Sequence, residues 1–163
     1  MDRYRRRRTD AVFERMALGL ALARIVAGGI WLLNLGWKLP PDFGRHDARG
    51  LYHWLVVARD HAVSSPLRAF VRHVVLPHYT LFGSLVFAVE ALAGVLLVAG
   101  FSTTIGAALG TGQAIVIGLM VANAPGEWRL AYLMMAFLNA LPLLAPADLR
   151  LSLDARLGRV AVF

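Results

Sequence analysis

The chain has 163 residues, no cysteine and a formal charge of +7, and 58% of its residues are hydrophobic against 17% charged. A soluble domain is about 45–50% apolar and about 25% charged, so composition, with a mean hydropathy of +0.60, argues against a water-facing globular fold. The missing cysteines exclude disulfides, cysteine-ligated iron–sulfur clusters and a thiol relay carried by this chain.

The N-terminal run Arg5-Arg6-Arg7-Arg8 holds much of the positive charge and precedes the first apolar segment. That placement points to anionic lipid and a topology signal rather than to nucleic acid. Met16 to roughly Trp37 is long enough to cross a hydrocarbon core, which needs about 20 helical residues. Arg24 interrupts this run and no small-x-small cleavage site follows, so the segment is expected to be an uncleaved signal anchor.

A long loop, about residues 39–80, comes next. It opens with Pro40-Pro41 and is expected to carry two amphipathic helices. Leu67, Phe70, Val71, Val74 and Val75 recur at helical spacing, with Ser65 as cap, Pro66 in the first position, and Arg68 and Arg72 on the other face. Leu51, Trp54, Leu55 and Ala58 repeat the pattern. Both helices are expected to lie at the membrane surface or over the bundle mouth. Trp37, Trp54, Tyr79, Trp128 and Tyr132 are expected to form an aromatic belt.

Three further apolar segments follow, at about 81–101, 103–123 and 129–147. Ser102 or Thr103 can cap the third helix, and Ala124-Pro125-Gly126-Glu127-Trp128 ends it. Gly106 and Gly110 form a GxxxG pattern that allows close helix packing. The predicted fold is therefore all-α: one domain over residues 1–163, an integral membrane four-helix bundle with an amphipathic extracytoplasmic loop. The basic N-terminal tail, with Arg150, Arg156 and Arg159 in the other tail, places both termini in the cytoplasm and the loop outside.

Counted at about 1.5 Å per residue, Arg24, Glu90, Gln113 and Asn139 fall in one layer, one from each helix. A lone charge there is costly, so Arg24 and Glu90 are expected to pair, with Gln113 or Asn139 in reach. The layer is either a bundle-locking network or a site for a polar head group such as a quinone carbonyl. Asn34, Lys38 and Asn123, with Glu127 beside them, form a second polar group near the outer interface, where snorkelling explains them. Arg45, Arg49, Arg59, Arg68 and Arg72 in the loop can attract an anion or contact lipid head groups. All five histidines, His46, His53, His61, His73 and His78, lie in the loop, away from the predicted crossings and without an acidic cluster. No metal site is expected, and no bundle haem.

Four stretches resemble the DoxX/DoxD family of small membrane proteins. They are Arg24-Ile25-Val26-Ala27-Gly28-Gly29 leading to Gly36-Trp37-Lys38-Leu39; Glu90-Ala91-Leu92-Ala93-Gly94 with Gly100-Phe101-Ser102-Thr103-Thr104; the tail Asp148-Leu149-Arg150-Leu151-Ser152-Leu153-Asp154; and the long loop with Pro66 and Pro77. Thr104 departs from the family, which usually has arginine there. The resemblance implies a bacterial or archaeal cytoplasmic-membrane subunit of a quinone-linked oxidoreductase complex, with thiosulfate or another sulfur donor. It implies quinone as a ligand, no covalently bound cofactor, and the bilayer and a larger complex as partners. The alternative is a non-catalytic accessory or scaffold subunit anchoring such a complex. A small transporter fits less well, because neither an internal repeat nor matched broken helices is present.

Overall fold

The computed structural model describes residues 2–144 and 151–156. Within these residues the chain is helical and has no strand. Its elements are α1 (Asp2–Asn34), α2 (Leu51–His61), α3 (Ser65–Phe70) running into a π turn (Val71–Val75), α4 (Tyr79–Ala99), α5 (Thr103–Val121), α6 (Arg129–Ala140) followed by a 3-10 turn (Leu141–Leu143), and α7 (Leu153–Arg156). Three stretches are long and apolar enough to cross a membrane: Val12–Asn34, Tyr79–Ala99 and Thr103–Val121. The apolar stretch Arg129–Leu143 is shorter.

α1 packs on α4, α4 on α5 and α5 on α6, with lighter contact between α6 and α1. The shared core is Ala27 and Trp31 of α1, Ala93 and Leu97 of α4, Ala107 and Ala114 of α5, and Ala136 of α6. Alanines and glycines dominate the crossings, which lets backbones approach closely. Gly106 faces Leu96 and Leu97 on α4, and Gly110 faces Trp31 and Asn139. The GxxxG pair therefore serves two different contacts. Large apolar side chains cover the outer faces, among them Leu33, Leu81, Leu133 and Phe137, all more than 60% exposed. Water does not favour such a surface; hydrocarbon does.

Several expectations change. α1 continues through the basic run to Asp2 instead of starting at Met16. α6 gives way to the 3-10 turn at Leu141, because Pro142 lacks the N–H that an α-helix needs; residues 145–147 of the predicted span lie outside the described residues. Ser64, not Ser65, is the N-cap residue of α3. From Val71 the chain adopts π geometry, with the Leu76 N–H donating to Val71 O at 2.9 Å. The wider turn splits the predicted apolar stripe: Val71 and Val75 are buried, while Phe70 and Val74 are exposed. Of the aromatic belt only Trp128 is well exposed. Tyr79 is buried and donates to Phe43 O at 2.7 Å.

The loop helices are seated on the bundle. Ala58, Val71 and Val121 form a buried cluster with Trp54, Ile117 and Tyr132 around it. Val63 N–H donates to Leu119 O at 3.0 Å, a carbonyl in the last turn of α5. A second cluster, Phe43, Leu51 and Tyr79, fixes the start of the loop against α4.

Candidate functional site

A buried ion pair lies midway along α4, where the chain leaves the end of α1. After α1 ends at Asn34, two short turns reverse the chain, with Leu35 N–H donating to Leu32 O and Lys38 N–H to Leu35 O. They turn the Lys38 side chain back into the interior, where it is 3% exposed. Its ammonium is 2.6 Å from Glu90 Oε1 and 2.5 Å from Oε2, and Glu90 is fully buried. Gln113 Nε2 donates to Glu90 Oε1 at 3.2 Å. The ammonium also lies 4.2 Å from the Trp37 ring centroid. Two of the three lysine donors and one of the two Gln113 amide hydrogens are used, so each group keeps one donor.

This polar group borders a cavity of about 580 Å³ whose other walls are largely apolar. Trp31, Val86, Ile117 and Met135 line the interior, and Trp54, Leu55 and Ala58 of α2 roof it. The Tyr132 hydroxyl donates to Glu127 Oε2, and both residues line the same cavity. So does Asn34, whose amide donates to Ile30 O of its own helix.

Arg24 lies elsewhere. It is fully buried at the turn that joins α4 to α5, where its guanidinium packs against Gly100: a Cβ there would lie 2.6 Å from Arg24 Cζ. Its Nη2 donates to Leu151 O at 2.8 Å. Asp154 follows three residues on. Its carboxylate accepts from Ser102 N–H at 3.1 Å and Thr103 N–H at 3.2 Å, while its own N–H donates to Gly100 O at 3.0 Å. Asp154, from a distant segment, therefore satisfies the N-terminal donors of α5. Neither Ser102 nor Thr103 makes the side-chain cap expected of it.

The expected Arg24–Glu90 pair is thus replaced by Lys38–Glu90, and the single polar layer resolves into three separate contacts. The third is Trp31 Nε1–H donating to Asn139 Oδ1 at 2.8 Å, with Asn139 Nδ2 donating to Met135 O. Arg24 lies about 15 Å of helical rise from the end of α1 at Asn34, and Lys38 lies beyond that end. Depth counted from Met16 places Arg24 too near the bundle centre, because α1 extends well past that residue. Of the outer group, Lys38 and Asn34 share the cavity, whereas Asn123 is exposed on the turn after α5. Lys38 does not snorkel outward: a buried carboxylate within reach outweighs the interface. Its signal in the sequence is the unpaired Glu90, which needs a cation and has two candidates.

The loop arginines serve several different contacts. Arg45 lies 5.7 Å from the ring centroids of Tyr52 and Tyr79. Arg59 donates to Asp60, with Arg72 3.6 Å from that carboxylate. The Arg59 hydrogen bond holds the Asp60 carboxyl below the usual carboxylate range. Arg68 donates to Ala62 O and Ser65 Oγ, and Arg49 is exposed. Among the described residues no three His, Asp or Glu side chains come together as a metal-holding group.

Membrane-length apolar helices, a lipid-suited outer surface and an ion pair buried beside an apolar cavity define a membrane protein. The family model described as TQO small subunit DoxD matches residues 14–161, and the chain belongs to the DoxD family. No curated protein and no solved structure matches it.

Proposed function

We propose that this chain is the membrane subunit of a quinone-linked oxidoreductase and that the cavity beside Lys38, Glu90 and Gln113 receives the quinone head. The observation that carries the reading is the placement of two spare hydrogen-bond donors on a buried polar group at one end of an otherwise apolar cavity. A quinone carbonyl accepts hydrogen bonds and carries no charge until reduced. When two electrons arrive, negative charge develops on its oxygens, and the Lys38 ammonium and Gln113 amide are placed to stabilise it. Two protons complete the quinol. The electrons come from a donor oxidised by a partner subunit, thiosulfate or another sulfur compound in keeping with the family description. The chain has no cysteine with which to relay them.

Gln113→Leu tests the site without removing a charge. In the native complex it should raise KM for quinone or lower kcat by about tenfold, the loss of one partly buried hydrogen bond. Unchanged values for both constants would remove the cavity as the quinone site and leave the accessory, scaffold role as the better reading.

α6 is proposed as a fourth crossing in the cytoplasmic membrane of a bacterium or archaeon. Its outer face, Leu130, Leu133, Met134 and Phe137, is as apolar as those of the three longer helices. Residues 129–143 rise about 22 Å, short of the roughly 30 Å core, a difference that local bilayer thinning accommodates. Both termini are then cytoplasmic and α2 and α3 lie at the outer interface. Because the chain has no native cysteine, single cysteines at Asp2 and Asp47 give clean probes. An impermeant maleimide should label position 47 in intact cells and position 2 only after lysis; the reverse pattern would invert the topology.

A further inference from the structure

We propose that the cavity opens sideways into the bilayer between α4 and α5, through a portal framed by Leu85 and Val116, and that its ligand is a quinone whose hydrocarbon tail stays in that portal during turnover. This rests on the quinone reading of the cavity and adds the route and the tail.

α4 and α5 are joined at the Gly100–Ser102 turn, where they touch closely: a Cβ on Gly106 would lie 2.8 Å from Leu96 Cβ. Towards the loop end they face one another across the cavity, with Leu85 and Val89 on one side and Val116 and Met120 on the other. Leu85 is 55% and Val116 46% exposed, yet both line the cavity. A side chain that borders the interior void and also the outer apolar surface marks an opening between them. Phe70, exposed and edge-to-face with Phe82 at 6.0 Å, lines the same cavity.

The side towards the loop is closed by comparison. Ala58, Val71, Val75 and Val121 are each at most 5% exposed, and the Val63–Leu119 backbone hydrogen bond holds the loop to α5. The polar end at Lys38 and Glu90 is buried. A ligand that satisfies both ends has a hydrogen-bonding head and an apolar chain that leaves through hydrocarbon. A volume of about 580 Å³ lies in the range of about 300–1,000 Å³ that holds one drug-sized ligand. A long polyprenyl tail exceeds it and must extend outside.

The test compares decylubiquinone with its tail-less parent quinone in the native complex, for wild type, Val116→Trp and the milder Val116→Phe. Leu119→Trp controls for a bulky residue on the lipid-facing side of α5, since Leu119 is exposed without lining the cavity. Val116→Trp should raise KM for decylubiquinone about tenfold by overfilling the portal. Val116→Phe should do so less, and with both variants the rise for the tail-less quinone should be several-fold smaller, because its head only passes the portal on entry whereas the decyl tail must remain in it while bound. Leu119→Trp should match wild type with both. Equal effects on the two quinones, or none on either, overturn the portal while wild-type turnover keeps the cavity reading intact. If wild type neither reduces the tail-less quinone nor shows quenching of Trp31, Trp37 and Trp54 fluorescence by it, the quinone reading itself fails and the portal falls with it.

Discussion

Lys38→Met should destabilise the protein in detergent by about 3–5 kcal/mol, because it leaves the Glu90 carboxylate buried without its counter-ion. The lost attraction is only part of this cost; the larger part is desolvation of the surviving charge, which Gln113 alone cannot offset at 3.2 Å. Glu90→Leu should be similarly damaging, since it strands the ammonium. The double variant should recover much of the loss, because a well-packed apolar pair of similar volume is often as stable as a buried ion pair. Urea or thermal unfolding of the four species gives the coupling energy directly. Effects that simply add would show that Lys38 and Glu90 do not interact. Arg24→Met should show no such coupling to Glu90, because Arg24 binds Leu151 at the turn between α4 and α5.

Two adjacent glycines should respond in opposite ways to alanine. A Cβ on Gly28 would lie 2.8 Å from both Gly94 O and Val98 N. These are backbone atoms of α4 that no rotamer change can move, so α1 and α4 must separate at their crossing. Gly28→Ala should cost about 1–3 kcal/mol, and Gly28→Val should prevent assembly of α1 on α4. A Cβ on Gly29 meets nothing within 4 Å. Gly29→Ala should be neutral or stabilise by up to about 1 kcal/mol through helix propensity. Melting temperatures in one detergent, alongside the monodisperse yield, separate the two positions. An unchanged melting temperature for Gly28→Ala would mean that the helices cross elsewhere.

The long helices are legible in the sequence because membrane spans are written as uninterrupted apolar runs, and α4 and α5 read off Tyr79–Ala99 and Thr103–Val121 within two residues of the expected bounds. Depth is harder to read. It requires a shared origin for all helices, and an α-helix that continues into a charged tail, as α1 does through Arg5-Arg6-Arg7-Arg8, hides that origin. Hence Arg24 is matched with Glu90 by arithmetic and with Leu151 by the fold. Glu90 and Gln113 share a level on α4 and α5 because a short turn joins these helices and fixes their relative height. Lys38 is placed at the outer interface, not beside Glu90, for a different reason. It lies outside any regular element, and only the two turns after Asn34 show that its side chain points inward. The role of Asp154 is likewise invisible locally, since the helix it caps lies some fifty positions away.

Arg24 and Leu151, which share a hydrogen bond, are 127 positions apart in the chain. During synthesis the first apolar segment reaches the membrane long before the residues that receive its guanidinium have been translated. Until the Leu151–Asp154 segment has been made, Arg24 lacks the acceptor that it has in the folded protein. One short segment receives the guanidinium and caps α5, so a chain cut before Leu151 would lose both contacts at once.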